Sequence, residues 1–183
     1  MQIIKRIFDE AALLSLRSRD DSRGNMTVVF DENISEIFHD FSVKENRTYS
    51  MPKKGTFFGI HYRNESDPMD RLVSVVKGCG MDYIIDLRKD SPTYLKWESF
   101  ELSDKNAHAV YIPSGFGHAF LSLEDDTILM YLMNRCADKG FTKKLNYRDE
   151  HIGLKLSIPI HEIADYDKDA PFLDDIEENE DGV

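Results

Sequence analysis

From Gly55 to about Ile160 the chain runs in short apolar and β-branched segments: TFFGIHY, RLVSVV, MDYIIDL, LKWESFEL, HAVYIP, HAFLSL and TILMYLM. Turn signals separate them, namely NESDP, KGCG, RKDSP, SDKNA, PSGFG and EDD. The step from one segment to the next is about ten residues, the spacing of an all-β sandwich or barrel. No long stretch of helical period interrupts the series. One short helix is expected over 33–41, with Asp31 or Asn33 as cap and Ile34, Ile37, Phe38 and Phe41 on one face. There is no internal repeat and no interdomain linker. The expectation is one β-rich domain over 1–173, with an N-terminal arm and a C-terminal extension. Residues 174–183 form an acidic, frayed tail that does no chemistry.

A chain of 183 residues is long enough to bury a real core, about 70% of its unfolded surface. Its 34 Asp+Glu outweigh 23 Lys+Arg for a net charge of -11, which excludes a general nucleic-acid footprint. No apolar run approaches the roughly 20 residues of a membrane span, and MQIIKRIF meets Asp9 and Glu10 without forming a signal peptide. Cys79 and Cys136 make neither a disulfide framework nor a zinc set. The expected setting is the cytoplasm.

Of six histidines, two lie in apolar strand patterns beside glycine: His61 in FFGIHYR and His118 in IPSGFGHAF. Period two puts Gly59, His61 and Arg63 on one face. It does the same for Asp82, Ile84 and Asp86 in MDYIIDL. Carboxylates inside a small barrel need partners; on an exposed edge strand they need none, and the run alone fits both. Tyr131, inside TILMYLM, needs a partner for its hydroxyl if buried. Arg71, on the face of Val73 and Val75, either snorkels at a strand end or lines a pocket. The remaining histidines, His39, His108, His151 and His161, read as surface. PSGFGH has the P-x-G-x-x-H form of a cupin motif, but Arg63 stands where a metal cupin offers a second histidine, and an arginine cannot ligate a cation. No metal is expected.

Taken together these segments resemble the dTDP-4-dehydrorhamnose 3,5-epimerase family over about Asp21 to Asp174. The resemblance rests on ordered motifs: D-S-R-G at 21–24, G-I-H-Y at 59–62, V-V-K-G at 75–78, D-Y-I-I-D-L-R-K-D-S-P-T-Y at 82–94, K-W at 96–97, I-P-S-G-F-G-H-A-F at 112–120, Tyr131, I-G at 152–153 and D-K-D-A-P at 167–171. It implies a cupin-type double-stranded β-helix, or jelly roll, with short peripheral helices, and a homodimer that exchanges an N-terminal strand. It implies a nucleotide-linked 4-keto-6-deoxyhexose as substrate and no cofactor. Matched residue by residue, it makes His61 the base, Asp167 the carboxylate that orients it and Tyr131 the acid. His118 and Asp82 fall on pocket positions and Arg23 on a nucleotide-binding arginine. The chemistry suits these residue types. A 4-ketone acidifies the protons on C3 and C5, histidine is the usual proton acceptor near neutral pH, and the resulting enolate needs a positive group at O4.

Four positions depart from the family. Arg71 replaces a lysine and keeps the charge that would stabilise the enolate. Phe58 replaces an arginine that would contact diphosphate, while Val28 and Thr142 replace glutamates. Lys44 and Arg47 are the cations expected to supply the lost charge. Phe58 and Arg71 leave one rival reading, a sugar- or nucleotide-binding jelly roll without catalysis, and PSGFGH alone suggests another, a metal-dependent cupin enzyme.

Overall fold

A computed structural model describes residues 1–31, 34–38, 41–63, 66–136 and 142–176. The strands are β1 (Gln2–Ile7), β2 (Ala11–Ser15), β3 (Arg17–Asp21), β4 (Gly24–Val28), β5 (Glu45–Met51), β6 (Thr56–Tyr62), β7 (Arg71–Lys77), β8 (Cys79–Asp86), β9 (Trp97–Ser103), β10 (His108–Ile112), β11 (Phe116–Ser122), β12 (Thr127–Met133), β13 (Lys143–Lys144) and β14 (Glu162–Ile163). Two single-turn helices accompany them, α1 (Ile34–Ile37) and α2 (Asp165–Lys168). One sheet runs β1-β2-β10-β7-β12-β5 and the other β13-β6-β11-β8-β9, with β14 also on β6. Face to face they make the expected jelly roll.

The near-continuous apolar runs have a direct cause, because the strands are covered on both faces. Val73, Val75, Ile84, Phe116, Phe120, Leu129 and Met133 pack between the sheets. Leu72, Ala109 and Leu132, on the other face of the first sheet, are covered by Ile34, Phe38 and Phe41. Phe38 stacks on Tyr111 at 3.7 Å between ring centroids, so the short helix lies where its apolar face predicts, although Asn33 and His39 fall outside the described residues. Leu145, Ile152 and the segment that follows cover Ile60, Tyr83 and Ile85 on the outer face of the second sheet.

The N-terminal arm begins within the first sheet, where β2 is hydrogen-bonded to both β1 and β10. β3 and β4 pair as a separate two-stranded hairpin, with β3 exposed throughout. The edge-strand alternative for Asp82 and Asp86 fails. β8 lies between β11 and β9, and both carboxylates have no exposed surface. Of the acidic tail, residues 177–183 lie outside the described residues.

Asp86 makes its burial tolerable through donors. Oδ1 accepts from the Arg88 backbone N–H at 3.1 Å and Nε at 2.9 Å. Oδ2 accepts from Arg88 Nη2 at 2.8 Å and from the hydroxyls of Ser91 and Thr93, each at 2.6 Å. Burial pushes the carboxyl up, but these donors outweigh it and hold it at about 2, against 3.8 for a free aspartate. The folded value lies below the unfolded one, so the stabilisation is complete above about pH 4 and is lost as pH falls toward 2. It is on the order of 2 kcal/mol. Asp86→Asn should therefore lower Tm at neutral pH, and its deficit against wild type should shrink across that acid window in thermal melts.

Candidate active site

The decisive local feature is a bulge in β6. His118 pairs with His61 but Phe120 pairs with Phe58, so three steps along β6 match two along β11. Period two had put Gly59 with His61. The extra residue instead turns Phe58 and His61 to the interior together, their ring centroids 4.3 Å apart. Gly59 takes a φ of +119°, and a Cβ there would stand 2.6 Å from the His118 carbonyl oxygen and 2.7 Å from Ala119 Cα. Only glycine fits. Gly59→Ala should cost more than about 2 kcal/mol, read as a lower Tm, and should reduce activity further by displacing His61.

The bulge also frees the Gly59 N–H to meet a carboxylate from the far end of the chain. β14 runs parallel to the start of β6, and the single turn of α2 that follows places Asp167 beneath it. Asp167 Oδ2 accepts from Gly59 N–H at 3.1 Å, and Oδ1 lies 2.6 Å from His61 Nε2. Asp167 is 1% exposed and His61 6%. With a carboxylate on Nε2, that nitrogen carries the proton and Nδ1 is the one left to accept another.

Four further strands, β11, β8, β12 and β7, bring polar groups to the same interior. His118 Nε2 lies 2.7 Å from Asp82 Oδ2, and neither residue has exposed surface. Burial lowers the His118 pKa against the pull of Asp82, and burial raises that of Asp82 against the pull of His118 and Arg71. The pair is thus driven toward its uncharged form. Tyr131, on β12, stands edge-on to the His118 ring at 5.8 Å. Burial, with the Asp82 carboxylate second, raises its hydroxyl well above the ordinary tyrosine range, so it holds its proton. Arg71, at the start of β7, is 5% exposed and donates from Nη2 to the Phe116 carbonyl at 3.4 Å. Burial lowers its pKa while Tyr131 and Asp82 oppose the shift; a guanidinium keeps its charge regardless.

Tyr131 Oη, Arg71 Nε, Asp82 Oδ1 and His118 Nδ1 are all buried without a hydrogen-bond partner. Native interiors rarely leave such atoms unsatisfied, so four in one chamber define a place for a polar ligand.

His61, Asp167, Tyr131, Arg71, His118 and Asp82 thus come together as expected. The other three do not. Arg23 lies on the exposed β3–β4 hairpin, paired with Asp21. Arg47 sits opposite Tyr131 on edge strand β5, at the rim, with Nε directed to the Glu45 carboxylate. Lys44 is exposed and alternates with Glu45, away from that face. Sequence reasoning did not single out Tyr49, whose ring lies 5.6 Å from Phe58, or Tyr166, 6.4 Å from His61. Period two on ENRTYSM could have found Tyr49. Nothing local could have found Tyr166. Among the described residues no three His, Cys, Asp or Glu side chains are grouped to hold a metal ion.

The fold is an antiparallel jelly roll of the cupin type, and its interior holds a carboxylate-paired histidine together with a buried tyrosine and a buried arginine, side chains of the kinds that exchange protons and offset negative charge. The profile of the dTDP-4-dehydrorhamnose 3,5-epimerases matches residues 6–175, and the chain belongs to that family. It is 32% identical over 158 residues to the dTDP-4-dehydrorhamnose 3,5-epimerase of Methanothermobacter thermautotrophicus, covering 84% of this chain and 82% of that one. It is 36% identical over 157 residues to a dTDP-4-dehydro-6-deoxyglucose 3-epimerase from a Streptomyces species, covering 84% and 79%. Among solved structures, ChmJ, a 3'-monoepimerase from Streptomyces bikiniensis in complex with dTDP-quinovose, superposes with a TM-score of 0.85 at 30% identity. That match covers 93% of this chain and 87% of the other.

Proposed function

We propose that the protein epimerises a dTDP-linked 4-keto-6-deoxyhexose at the carbons flanking the ketone, C3, C5 or both, in making a sugar for bacterial surface polysaccharide. The observation that carries this reading is the pairing of His61 with Asp167 across the chamber from a protonated, partnerless Tyr131. His61 Nδ1 takes the proton from the carbon next to the ketone. The electron pair moves onto O4, where the Arg71 guanidinium offsets the negative charge. Asp167 holds the imidazole in position and balances its charge while it carries the proton. Tyr131 gives a proton to the same carbon from the opposite ring face, which inverts it. His118 and Asp82 offer hydrogen bonds to the sugar from the chamber wall.

The working unit is a homodimer. Arg23 lies on an exposed hairpin outside the two main sheets, and a second subunit gives it a site to reach. The compartment is the cytoplasm, in keeping with two free thiols, Cys79 and Cys136. Among the described residues no helix is long and apolar enough to cross a membrane.

The test is the product. Purified protein is given dTDP-4-keto-6-deoxyglucose, the ketone is reduced chemically, and the released sugars are identified. A sugar inverted at C3 or C5 is expected; recovery of only the starting configuration would refute the reading.

A further inference from the structure

We propose that Lys144 is the cation that binds the diphosphate of the substrate, held at the chamber mouth by the face of Tyr166. The proposal rests on the nucleotide-sugar reading above. A nucleoside diphosphate brings concentrated negative charge to a protein whose own net charge is -11, so a local cation has to receive it. The arginines around the chamber are committed elsewhere. Arg71 is buried inside it, Arg63 is paired with Asp67, and Arg47 is paired with Glu45. Phe58 fills the place beside His61 with an uncharged ring.

Lys144 differs from all of these. β13 pairs with β6 so that Lys144 stands opposite His61, which starts its side chain on the same face as the proposed base. Its ammonium lies 3.9 Å from the centroid of the Tyr166 ring, and that ring lies 6.4 Å from the His61 ring at an interplanar angle of 29°. The cation is therefore one aromatic ring away from the reacting centre. It has no carboxylate partner among the described residues. Tyr166 is 55% exposed, so the assembly faces solvent where a ligand enters. Attraction to the ring face restrains the flexible lysine stem and leaves N–H groups on the far side of the ammonium to donate. Lysine binds phosphate as a point charge and tolerates the varied approach of a diphosphate.

Titration of Lys144→Gln with dTDP and with thymidine tests this. The Kd for dTDP should rise about tenfold, worth 1.4 kcal/mol, while thymidine, which lacks phosphate, should bind as to wild type. In turnover the loss should fall on KM rather than kcat, and the salt dependence of KM should weaken. Lys143→Gln, the same charge change one residue away, should leave dTDP binding unaltered, and Tyr166→Phe should keep the cation seated. If wild type epimerises yet a folded Lys144→Gln binds dTDP as tightly as wild type, Lys144 is not the diphosphate contact and the epimerase reading stands. If wild type neither epimerises nor binds dTDP, the epimerase reading itself fails, and the role of Lys144 with it.

Discussion

His61→Ala should reduce solvent exchange at C3 and C5 to background while leaving the fold and dTDP binding intact. A general base contributes roughly 10²–10⁴ to rate, and here one imidazole serves every proton removal. The other histidine in the chamber among the described residues is a poor substitute. His118 has an open Nδ1, but burial lowers its pKa and so weakens it as a proton acceptor. The truncation is not expected to collapse the chamber, because Asp167 keeps its bond to the Gly59 N–H and α2 remains anchored. Thermal melts and dTDP titration check folding; ring-proton NMR checks exchange. A variant exchanging within a few-fold of wild type would move the base to another group.

Tyr131→Phe should uncouple proton removal from inversion. The base and the arginine stay in place, so His61 still removes a proton, trades it with solvent and returns it to the face it came from. The product should gain deuterium and keep its configuration at the carbon Tyr131 serves. If Tyr131 were only a core residue, phenylalanine would be nearly isosteric and stereochemistry would not change. The hydroxyl has no protein partner, so its removal breaks no internal hydrogen bond and Tm should hardly move. Full inversion by the variant would strip Tyr131 of the acid role.

Most strands from β6 to β12 were legible because both of their faces are covered, which writes their burial into the sequence as continuous apolar runs; the edge strand β9, WESFELS, is half-exposed and shows as alternation instead. The strands before them were not. β3 reads RSRDD and β5 reads ENRTYSM, polar segments whose pairing depends on neighbours rather than on an apolar face. β2 is AALLS, built of helix formers, and becomes a strand only because β1 and β10 hydrogen-bond to it on either side. Asp82 and Asp86 fitted two readings until the position of β8 within its sheet decided between them. The site was legible in part. His61 and His118 stood out as polar residues beside glycines in apolar strands. The contact of His61 with Asp167 spans 106 residues and turns on one extra residue at Gly59. No local pattern carries that information; it came from the family resemblance. The same bulge turned Phe58 inward and defeated the period-two grouping of Gly59 with His61. Lys44 and Arg47 lie where the family has polar nucleotide contacts, and the alternation along this segment places only Arg47 toward the rim.

In the proposed reaction one carbon beside the ketone loses its proton to His61 and regains one from the other face. Ring-proton NMR of dTDP-4-keto-6-deoxyglucose incubated with wild-type protein in heavy water tests it most directly. Deuterium is expected at C3, C5 or both, with every inverted carbon labelled. Inversion with the original hydrogen retained would contradict the proposed reaction, as would the absence of any exchange.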